Sequence, residues 1–487
     1  MVICFKEYNL KERLAYLLFN HKVCGFIRFL FFMQTLAERL AIYTNSLHYE
    51  DLPEDVIHEV KRRVIDSLGC ALGAYNSEPV RIAMEVARPV ESTYSASIFG
   101  TKKKTSPDLS AFANGTMIRY LDYNDTYLAK EPAHPSDNIS TALSIAEAER
   151  KGGRDLIAAI VIGYEIQCRL CDAASLRAKG WDHVTYGAFS SGLVAAKLMD
   201  LNMEQTVHTL GLSGVANIAL RQTRTGELSM WKGCAFANTA RNAVFAAILA
   251  KHGMTGPSPI FEGEKGFMKL VSGYFELGDF GGKESHFKIL DTYIKFYPAE
   301  YHSQSAIEAA LKLKSEIGDI DTIESIEVRT FDACYEIIGS GAEKWNPKTR
   351  ETADHSLPYC VAVALKDGKV ELNQFSLGRI KDPILHRLMQ KVRITRDAEL
   401  NRQYPEAMPN LIEIITKDRR RFSKKINYPK GHPKNPMTDK EVETKFKTMA
   451  ANILPTGQID IILDKLLNLE YIKDVREIMD SITVSKQ

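Results

Sequence analysis

Four short segments of the sequence concentrate ionisable side chains at points where the surrounding helical pattern breaks. They are YLDYNDTYLAKEPAHPSDN (120–138), KGWDHVTYGAF (179–189), LRQTRTGELSMWKGCAFAN (220–238) and YIKFYPAEYHSQ (293–304). Histidine and carboxylate side chains can move protons as general acids and bases. Lysine and arginine side chains can bind the carboxylates or phosphates of a small polyanion. The segments together indicate acid–base chemistry on an anionic small molecule.

Each of these groups also has an ordinary structural explanation when it is taken alone. An Asp or Thr that precedes a helix most often caps it, and a single Lys, Arg or His in a loop is usually solvated. The combination is more informative, because four segments of one chain each supply acidic, basic or cationic groups. The candidates are Asp122, Thr126, His134, Asp182, His183, Arg221, Arg224, Lys232, Lys295, Glu300 and His302.

Motifs for nucleotide and metal chemistry are missing from the sequence. It contains no G-x-x-x-x-G-K-[ST], no convincing G-x-G-x-x-G after a strand and no H-E-x-x-H. Cys168 and Cys171 form one C-x-x-C pair, whereas zinc and iron–sulfur sites need three or four ligands. The pair lies in GYEIQCRLCDAA, which is typical of a helix interior. We therefore expect packing cysteines, no metal and no cofactor.

Composition describes an ordinary globular protein. The chain has 487 residues, 45% of them hydrophobic and 25% charged, with a net charge of +2. This length predicts two domains, and the small charge gives no general reason to expect nucleic acid or an anionic membrane as a partner. The eight cysteines are scattered, mostly through apolar runs, which favours a cytoplasmic location. The apolar run DLIAAIVIGY stops at Glu165, well short of the ~20 residues that span a membrane.

Hydrophobic periodicity divides the chain into parts. Helices are expected over 140–151, 155–174, 186–200, 203–220 and 233–252, and their Ala, Gly and Ser residues allow close packing. Alternating patterns predict strands over 322–331, 391–397 and 409–418, with helices over 303–318 and 353–368. The predicted fold is mainly α with an α+β second domain. Its parts are a large helical domain (33–285), a smaller α+β lid domain (286–436) and C-terminal helices (437–487) that pack back on the helical domain.

The first 32 residues differ from everything that follows. They are rich in aromatic residues, carry Glu7 and Glu12, and lack a small-residue cleavage site, so they make a poor signal peptide. A regular helical pattern begins only after Met33. We interpret Met33 as the natural start and residues 1–32 as an upstream extension; a genuine N-terminal arm is the alternative.

Several longer segments of the chain resemble a known protein family. The segments LDYNDTY…AHPSDN, GYEIQCRL, RQTRTGELSMWKGCAFANTARNAVFAA, FYPAEYHSQ and KWNPKTRETADHSLPYCVAVAL resemble the MmgE/PrpD family from about Met33 to the C-terminal region. The resemblance implies a helical domain with a smaller α+β lid, a homodimer, and no iron–sulfur cluster. It also implies a hydro-lyase that removes water from 2-methylcitrate, giving 2-methyl-cis-aconitate, in propionate catabolism through the methylcitrate cycle.

The resemblance also implies site residues. Asp122, His134, His183 and Lys232 match catalytic positions, while Thr126, Lys295, Glu300 and Tyr335 match substrate-binding ones. On this hypothesis His134 and His183 transfer protons, Asp122 orients one imidazole, the two lysines neutralise carboxylates and Thr126 donates to one. The spacer TYLAKEPA between Asp122 and His134 is longer than in the related decarboxylase branch, and Glu300 replaces a His of that branch. The Glu favours the dehydratase branch.

Three alternatives remain open from the sequence. The same scaffold could serve a cis-aconitate decarboxylase or an amino-dicarboxylate epimerase. Cys168 and Cys171 could belong to an iron–sulfur dehydratase. The basic segment KDRRRFSKKINYPKGHPK (417–434) could bind nucleic acid, although a solvated hairpin and loop is the favoured interpretation.

Overall fold

The computed structural model describes residues 34–484. The predicted extension over residues 1–32 lies outside the described residues. The first helix shows how local sequence sets an element boundary, because Thr35 and Glu38 form a reciprocal cap. The Glu38 amide donates to the Thr35 hydroxyl at 3.2 Å, and the Thr35 amide donates to the Glu38 carboxylate at 2.8 Å.

The first part of the chain is helical. Its helices are α1 (Leu36–Ser46), α2 (Glu54–Ala74), α3 (Glu78–Ala87), α4 (Pro107–Tyr120), α5 (Asn138–Ala148), α6 (Gly153–Ala173), α7 (Gly187–Leu198), α8 (Met203–Ala216) and α9 (Trp231–Lys251), with a short antiparallel pair β1 (Ala96–Ser97) and β2 (Lys104–Thr105). Small residues bring the central helices close together. A Cβ on Gly115 of α4 would lie 3.0 Å from Ala237 of α9 and from Ser140 of α5.

The second part combines a four-stranded sheet with short helices. Its elements are α10 (Gln304–Ile317), β3 (Ile323–Thr330), α11 (Asp332–Ile338), α12 (Arg350–Ala353), α13 (Leu357–Asp367), α14 (Leu377–Ile380), α15 (Pro383–Met389), β4 (Val392–Arg396), α16 (Ala398–Asn401), β5 (Asn410–Thr416) and β6 (Arg421–Ile426). The strand order is β4-β3-β5-β6, with β3 and β4 parallel and the other pairs antiparallel. Val328 sits opposite Ile394 and Ile412, and all three are buried.

The chain then returns to helix. The last helices are α17 (Asp439–Ala450), α18 (Thr456–Leu467) and α19 (Arg476–Ser481). Helix α17 packs on α2 of the helical part, where a Cβ on Gly69 would lie 3.2 Å from the Cα of Phe446. The mainly α fold with an α+β part, expected from the sequence, is confirmed.

The basic segment forms the edge of the sheet. Residues 410–426 build the hairpin β5–β6, and Arg421, Ser423 and Lys425 of β6 alternate outward into solvent. Charged residues on an edge strand oppose pairing with another chain, so the segment has a structural explanation without nucleic acid. Between residues 34 and 484, the helices are all too short or too polar for a bilayer crossing.

Candidate active site

A cavity of about 840 Å³ lies between the helical part and the α+β part. All four polar segments identified in the sequence contribute to its wall. Its ionisable lining consists of Arg119, Asp122, Lys130, His134, Arg177, His183, Arg221, Arg224, Lys295, Glu300, His302, Glu336, Glu343, Lys344 and His355. Lysine and arginine side chains therefore outnumber carboxylates in the lining by seven to four. Such a wall favours a substrate with several negative charges.

Asp122 is the centre of the buried charges. Its Oδ1 lies 2.8 Å from Lys295 Nζ and also accepts from Arg119, and its Oδ2 lies 3.3 Å from Lys232 Nζ. Burial alone would raise the pKa of Asp122, but these three cations hold it well below its usual range. The backbone of Asp122 is left-handed, with φ of 50°, a conformation that Asp tolerates better than most residues. It lets the Asp122 carbonyl also accept from Lys295 Nζ, at 2.9 Å.

Lys232 reaches this cluster from behind the cavity wall. It is the second residue of α9 and is 1% exposed, and it is not among the lining residues. Its Nζ lies within 3.4 Å of Asp122 Oδ2, Asp354 Oδ1 and His355 Nδ1. Lys232 therefore contacts the groups that form the wall and not the cavity itself.

The same three partners of Lys232 are the candidate metal ligands among residues 34–484. Asp122, Asp354 and His355 each offer a ligand atom, and these atoms lie within 4.8 Å of one another. The ammonium of Lys232 is already 3.3 to 3.4 Å from all three. A metal ion would have to displace this cation, so the residues present do not fit a metal site.

His134 lies on the opposite side of Arg119 from Asp122. Its Nδ1 is 2.7 Å from the Asp125 carbonyl, which can only accept, so Nδ1 carries the proton. Its Nε2 is 2.8 Å from an Arg119 nitrogen, which can only donate. Burial and Arg119 hold the pKa of His134 well below its usual range. Both ring nitrogens are therefore occupied in a neutral imidazole.

His183 follows Asp182 at the start of the short turn before α7. Asp182 Oδ2 accepts from Arg224 Nε at 3.0 Å, and burial opposed by Arg224 leaves the pKa of Asp182 below its usual value. His183 Nδ1 lies 3.0 Å from Asp182 Oδ1, although the atoms are not aligned for a hydrogen bond. Burial lowers the pKa of His183 to about 3. The ring is held neutral, 5.8 Å from the His134 ring between centroids.

Glu300, Thr126 and Lys295 complete the predicted set on the wall. Glu300 Oε1 lies 2.6 Å from His302 Nδ1, and the other oxygen accepts from the His302 amide at 2.8 Å. The Thr126 hydroxyl donates its one proton to the Ala133 carbonyl at 2.9 Å, so in this structure it has none for the substrate carboxylate to which it was predicted to donate. Lys295 is fully buried, and burial lowers its pKa. Two of its three N–H groups are used by Asp122.

Tyr335 is placed away from the cavity. It belongs to α11, and its ring packs against the Arg396 guanidinium, whose carbon lies 4.7 Å from the ring centre. The following residues, Glu336 and Ile337, contribute to the wall instead. Successive side chains of an α-helix point about 100° apart, so Tyr335 can point away while its neighbours face the cavity. This geometry gives Tyr335 no contact with a molecule bound in the cavity.

Sequence reasoning did not single out Arg119, Asp354 and His355. Arg119 lies in the last turn of α4, where a basic residue usually serves the helix end. Asp354 and His355 lie in RETADHSLPY, inside what the pattern predicted as one helix over 353–368. The helix begins only at Leu357, because the Ser356 hydroxyl accepts from the Tyr359 amide at 3.1 Å and Pro358 occupies the first turn. That later start leaves both residues outside the helix, where His355 lines the cavity and the buried Asp354 contacts the His355 ring.

Other acids of the 120–138 segment are structural. Asp125 accepts from the Tyr164 hydroxyl at 2.7 Å and from the Ser136 amide at 3.0 Å. Glu131 accepts from the Arg177 amide at 2.9 Å, and burial raises its pKa. Burial likewise raises the pKa of Asp137, to about 7. These groups shape the segment from which Asp122, Thr126 and His134 project.

The C-x-x-C pair is buried inside α6. Cys168 and Cys171 are both inaccessible, and burial raises the pKa of each thiol well above its usual value. A metal ligand needs the thiolate instead. Within the part of the chain that is described, the six cysteines, these two included, are free thiols. The helix-interior interpretation of this pair is confirmed by its burial.

Comparisons with known proteins agree with this architecture. The family model of the MmgE/PrpD N-terminal domain matches residues 38–278, and that of the MmgE/PrpD C-terminal domain matches residues 297–469. The 2-methylcitrate dehydratase of Salmonella typhimurium is 30% identical over 83% of this chain and 88% of its own length. The mitochondrial 2-methylcitrate dehydratase of Yarrowia lipolytica is 29% identical, over 82% and 81%. A fungal alkylcitrate dehydratase, phiI, is 28% identical, over 88% and 90%.

These matches confirm the resemblance noted in the sequence. The matched relatives are dehydratases of citrate-type substrates, which are hydro-lyases, so the predicted enzyme class is confirmed at the level of the family. The domain boundaries at 285 and 436, the homodimer and the cytoplasmic location stay predictions.

Proposed function

Since the chain belongs to the MmgE/PrpD family, we propose that it is a 2-methylcitrate dehydratase, which removes water from 2-methylcitrate to give 2-methyl-cis-aconitate in propionate catabolism. The observation that carries this proposal is the cationic cavity around the Asp122 cluster. The substrate has three carboxylates and a tertiary hydroxyl. Its negative charges would be matched by the excess of lysine and arginine side chains in the cavity lining.

Substrate carboxylates have cations available to them in this cavity. Among the described residues, none accepts a hydrogen bond from the Arg221 guanidinium. Its nearest anionic neighbours are Asp182 and Glu131, which act on it only through their charge. Burial lowers the pKa of Arg221, and the residue is half-buried. Arg119 and Lys295 sit deeper, next to Asp122. We assign Arg221 to an outer carboxylate and Arg119 with Lys295 to the carboxylate beside the reacting carbon.

Elimination of water needs a proton acceptor at carbon, a proton donor at the hydroxyl, and cations for the charge that develops on the adjacent carboxylate. Lys295 meets two of these needs, since it is an ammonium with one N–H unused by Asp122 and a lowered pKa. We assign it as the donor to the leaving hydroxyl. Cations held by Asp122 take the role that a metal has in other dehydratases. His134 then orients Arg119, while its role as acid or base, and that of His183, stay predictions.

The experiment compares purified, chelator-treated protein on 2-methylcitrate, citrate and cis-aconitate, following alkene absorbance and CO₂ release in parallel. The proposal expects an alkene from 2-methylcitrate without added metal. An alkene from citrate alone would change the substrate but keep the dehydratase. Release of CO₂ from cis-aconitate without any alkene from the citrates would replace the proposal by a decarboxylase.

A further inference from the structure

His355 differs from the other histidines of the cavity in having an oriented ring and an accessible nitrogen. Its Nδ1 lies 2.6 Å from Asp354 Oδ1, which fixes the Nδ1–H tautomer with Asp354 as acceptor. Its Nε2 then carries a lone pair. The ring lines the cavity, and its side chain is 12% exposed. Among residues 34–484, Nε2 has no hydrogen-bond partner in the protein.

The other three imidazoles of the wall are less able to accept a proton. Both nitrogens of His134 are engaged, by the Asp125 carbonyl and by Arg119. His183 and His302 have side chains only 6% and 2% exposed, and the Nε2 of each is enclosed. An enclosed nitrogen cannot reach a carbon atom of a molecule in the cavity.

We propose that Nε2 of His355 is the base that takes the proton from the substrate carbon, with Asp354 as its positioning residue. This inference rests on the proposed dehydratase function. In the step, the C–H bond breaks and its proton moves to Nε2. The electron pair of that bond forms the second bond of the alkene, the C–O bond breaks, and the oxygen leaves as water with a proton from Lys295. The imidazolium then returns a proton to the Lys295 amine or to solvent, which restores both groups.

The surroundings of His355 suit a base that becomes charged only during the reaction. Burial and the Lys232 ammonium, 3.3 Å from Nδ1, lower the pKa of His355, while the hydrogen bond to Asp354 raises it. Asp122 Oδ2, 3.7 Å from Nδ1, adds a further anion. Glu300 also faces this region; burial would raise its pKa, but His302 holds it below its usual value. The ring is neutral before the reaction, and two carboxylates stabilise the imidazolium that forms.

The test compares the wild type with His355→Ala and His355→Gln on the citrate that the wild type turns over. His286→Gln is the matched control, because His286 Nε2 also lies 2.8 Å from a carboxylate, Asp291, but on an exposed surface. We expect His355→Gln to lower kcat by roughly 10²–10⁴ while substrate affinity, measured by equilibrium titration, changes little. We expect added imidazole to restore part of the activity of His355→Ala, and the ascending limb of the wild-type pH profile to be lost in His355→Gln. His286→Gln should match the wild type.

The outcomes separate this inference from the proposed function. If the wild type forms no alkene from any citrate, the function fails and the assignment of His355 falls with it. If the wild type is active and His355→Gln keeps kcat within a few-fold, the inference alone is overturned. Loss of kcat in both variants without rescue by imidazole, and with an unchanged shape of the pH profile, would also overturn it, because a structural role predicts that result.

Discussion

The side chain of Lys445 in α17 contacts three parts of the chain that are far apart in sequence. Its Nζ lies 2.6 Å from Asp66 Oδ1 in α2 and donates to the carbonyls of Tyr123 and Lys295, each at 2.8 Å. Those carbonyls belong to the neighbour of Asp122 and to Lys295 itself. We predict that Lys445→Met destabilises the protein more than Asp66→Asn does.

The magnitudes follow from what each variant leaves unpaired. Both side chains are buried, Lys445 6% exposed and Asp66 1%. Lys445→Met removes all three contacts and leaves a carboxyl in the interior, so we expect a loss of about 3–5 kcal/mol. Asp66→Asn removes one partner while Lys445 keeps both carbonyls, so we expect about 1–3 kcal/mol. Adding Asp66→Asn to Lys445→Met should recover part of the loss.

The measurement is urea unfolding of the four proteins, with Lys447→Met as the control on the same helix. Lys447 lies 2.8 Å from Asp460, but both side chains are about half exposed, and such surface pairs contribute little. Burial raises the pKa of Asp66, so in Lys445→Met the folded state retains a proton that the unfolded state releases. The difference in the free energy of unfolding between the wild type and Lys445→Met should therefore grow as pH rises from 4 to 8. Equal effects of Lys445→Met and Lys447→Met would refute the reasoning.

Four further predictions concern the cavity. His183→Gln should make the stability of the protein less sensitive to acid. The pKa of His183 falls from 6.5 to about 3 on folding, so in the wild type the unfolded state binds the extra proton, and the free energy of unfolding drops by about 2 kcal/mol as the pH falls from 6.5 to 5. An equal change in the urea midpoint between pH 7.5 and pH 5 in variant and wild type would contradict this. Arg221→Ala should raise KM by roughly tenfold with kcat retained; a fall in kcat alone would reject its carboxylate role. Lys295→Met should lower single-turnover rates by at least roughly 10², and wild-type rates would remove it as the donor. The hypothesis from the sequence, in which His134 itself transfers protons, expects His134→Ala to lower turnover by roughly 10²–10⁴. An unchanged rate would reject that hypothesis in favour of Lys295 and His355.

The sequence pattern located most of the fold because the relevant periodicities are local. The strands predicted over 322–331, 391–397 and 409–418 are β3, β4 and β5, with ends shifted by a few residues. Strand β6 was interpreted only as part of a hairpin, because Arg421–Ile426 holds few apolar residues. It is an edge strand that needs one buried residue, Ile426, and little hydrophobic alternation.

Site residues were predictable where a polar group interrupts an apolar pattern. Asp122, His134 and Lys295 stand out in this way. His355 does not stand out from the sequence. Its position before the helix, and not inside it, is set by one hydrogen bond, in which the Ser356 hydroxyl caps the helix. Lys232 shows a different limit. The sequence pattern predicts that it belongs to the site, but not that it lies behind the cavity wall, against Asp122 and Asp354, and makes no contact with the cavity.

In the proposed reaction, the Asp122 cluster would keep buried lysines charged, so that they could act where a metal ion acts in metal-dependent dehydratases. An isolated buried ammonium tends to lose its proton, and burial lowers the pKa of Lys295 accordingly. Asp122 opposes that loss by contacting Arg119, Lys232 and Lys295 at once. Asp354 adds a second carboxylate beside Lys232. Two carboxylates among three cations still leave positive charge in excess, and in the buried interior that excess costs free energy. Under the proposed function, a polyanionic substrate offsets this cost when it binds, so the excess of positive charge favours tricarboxylates over molecules with fewer negative charges.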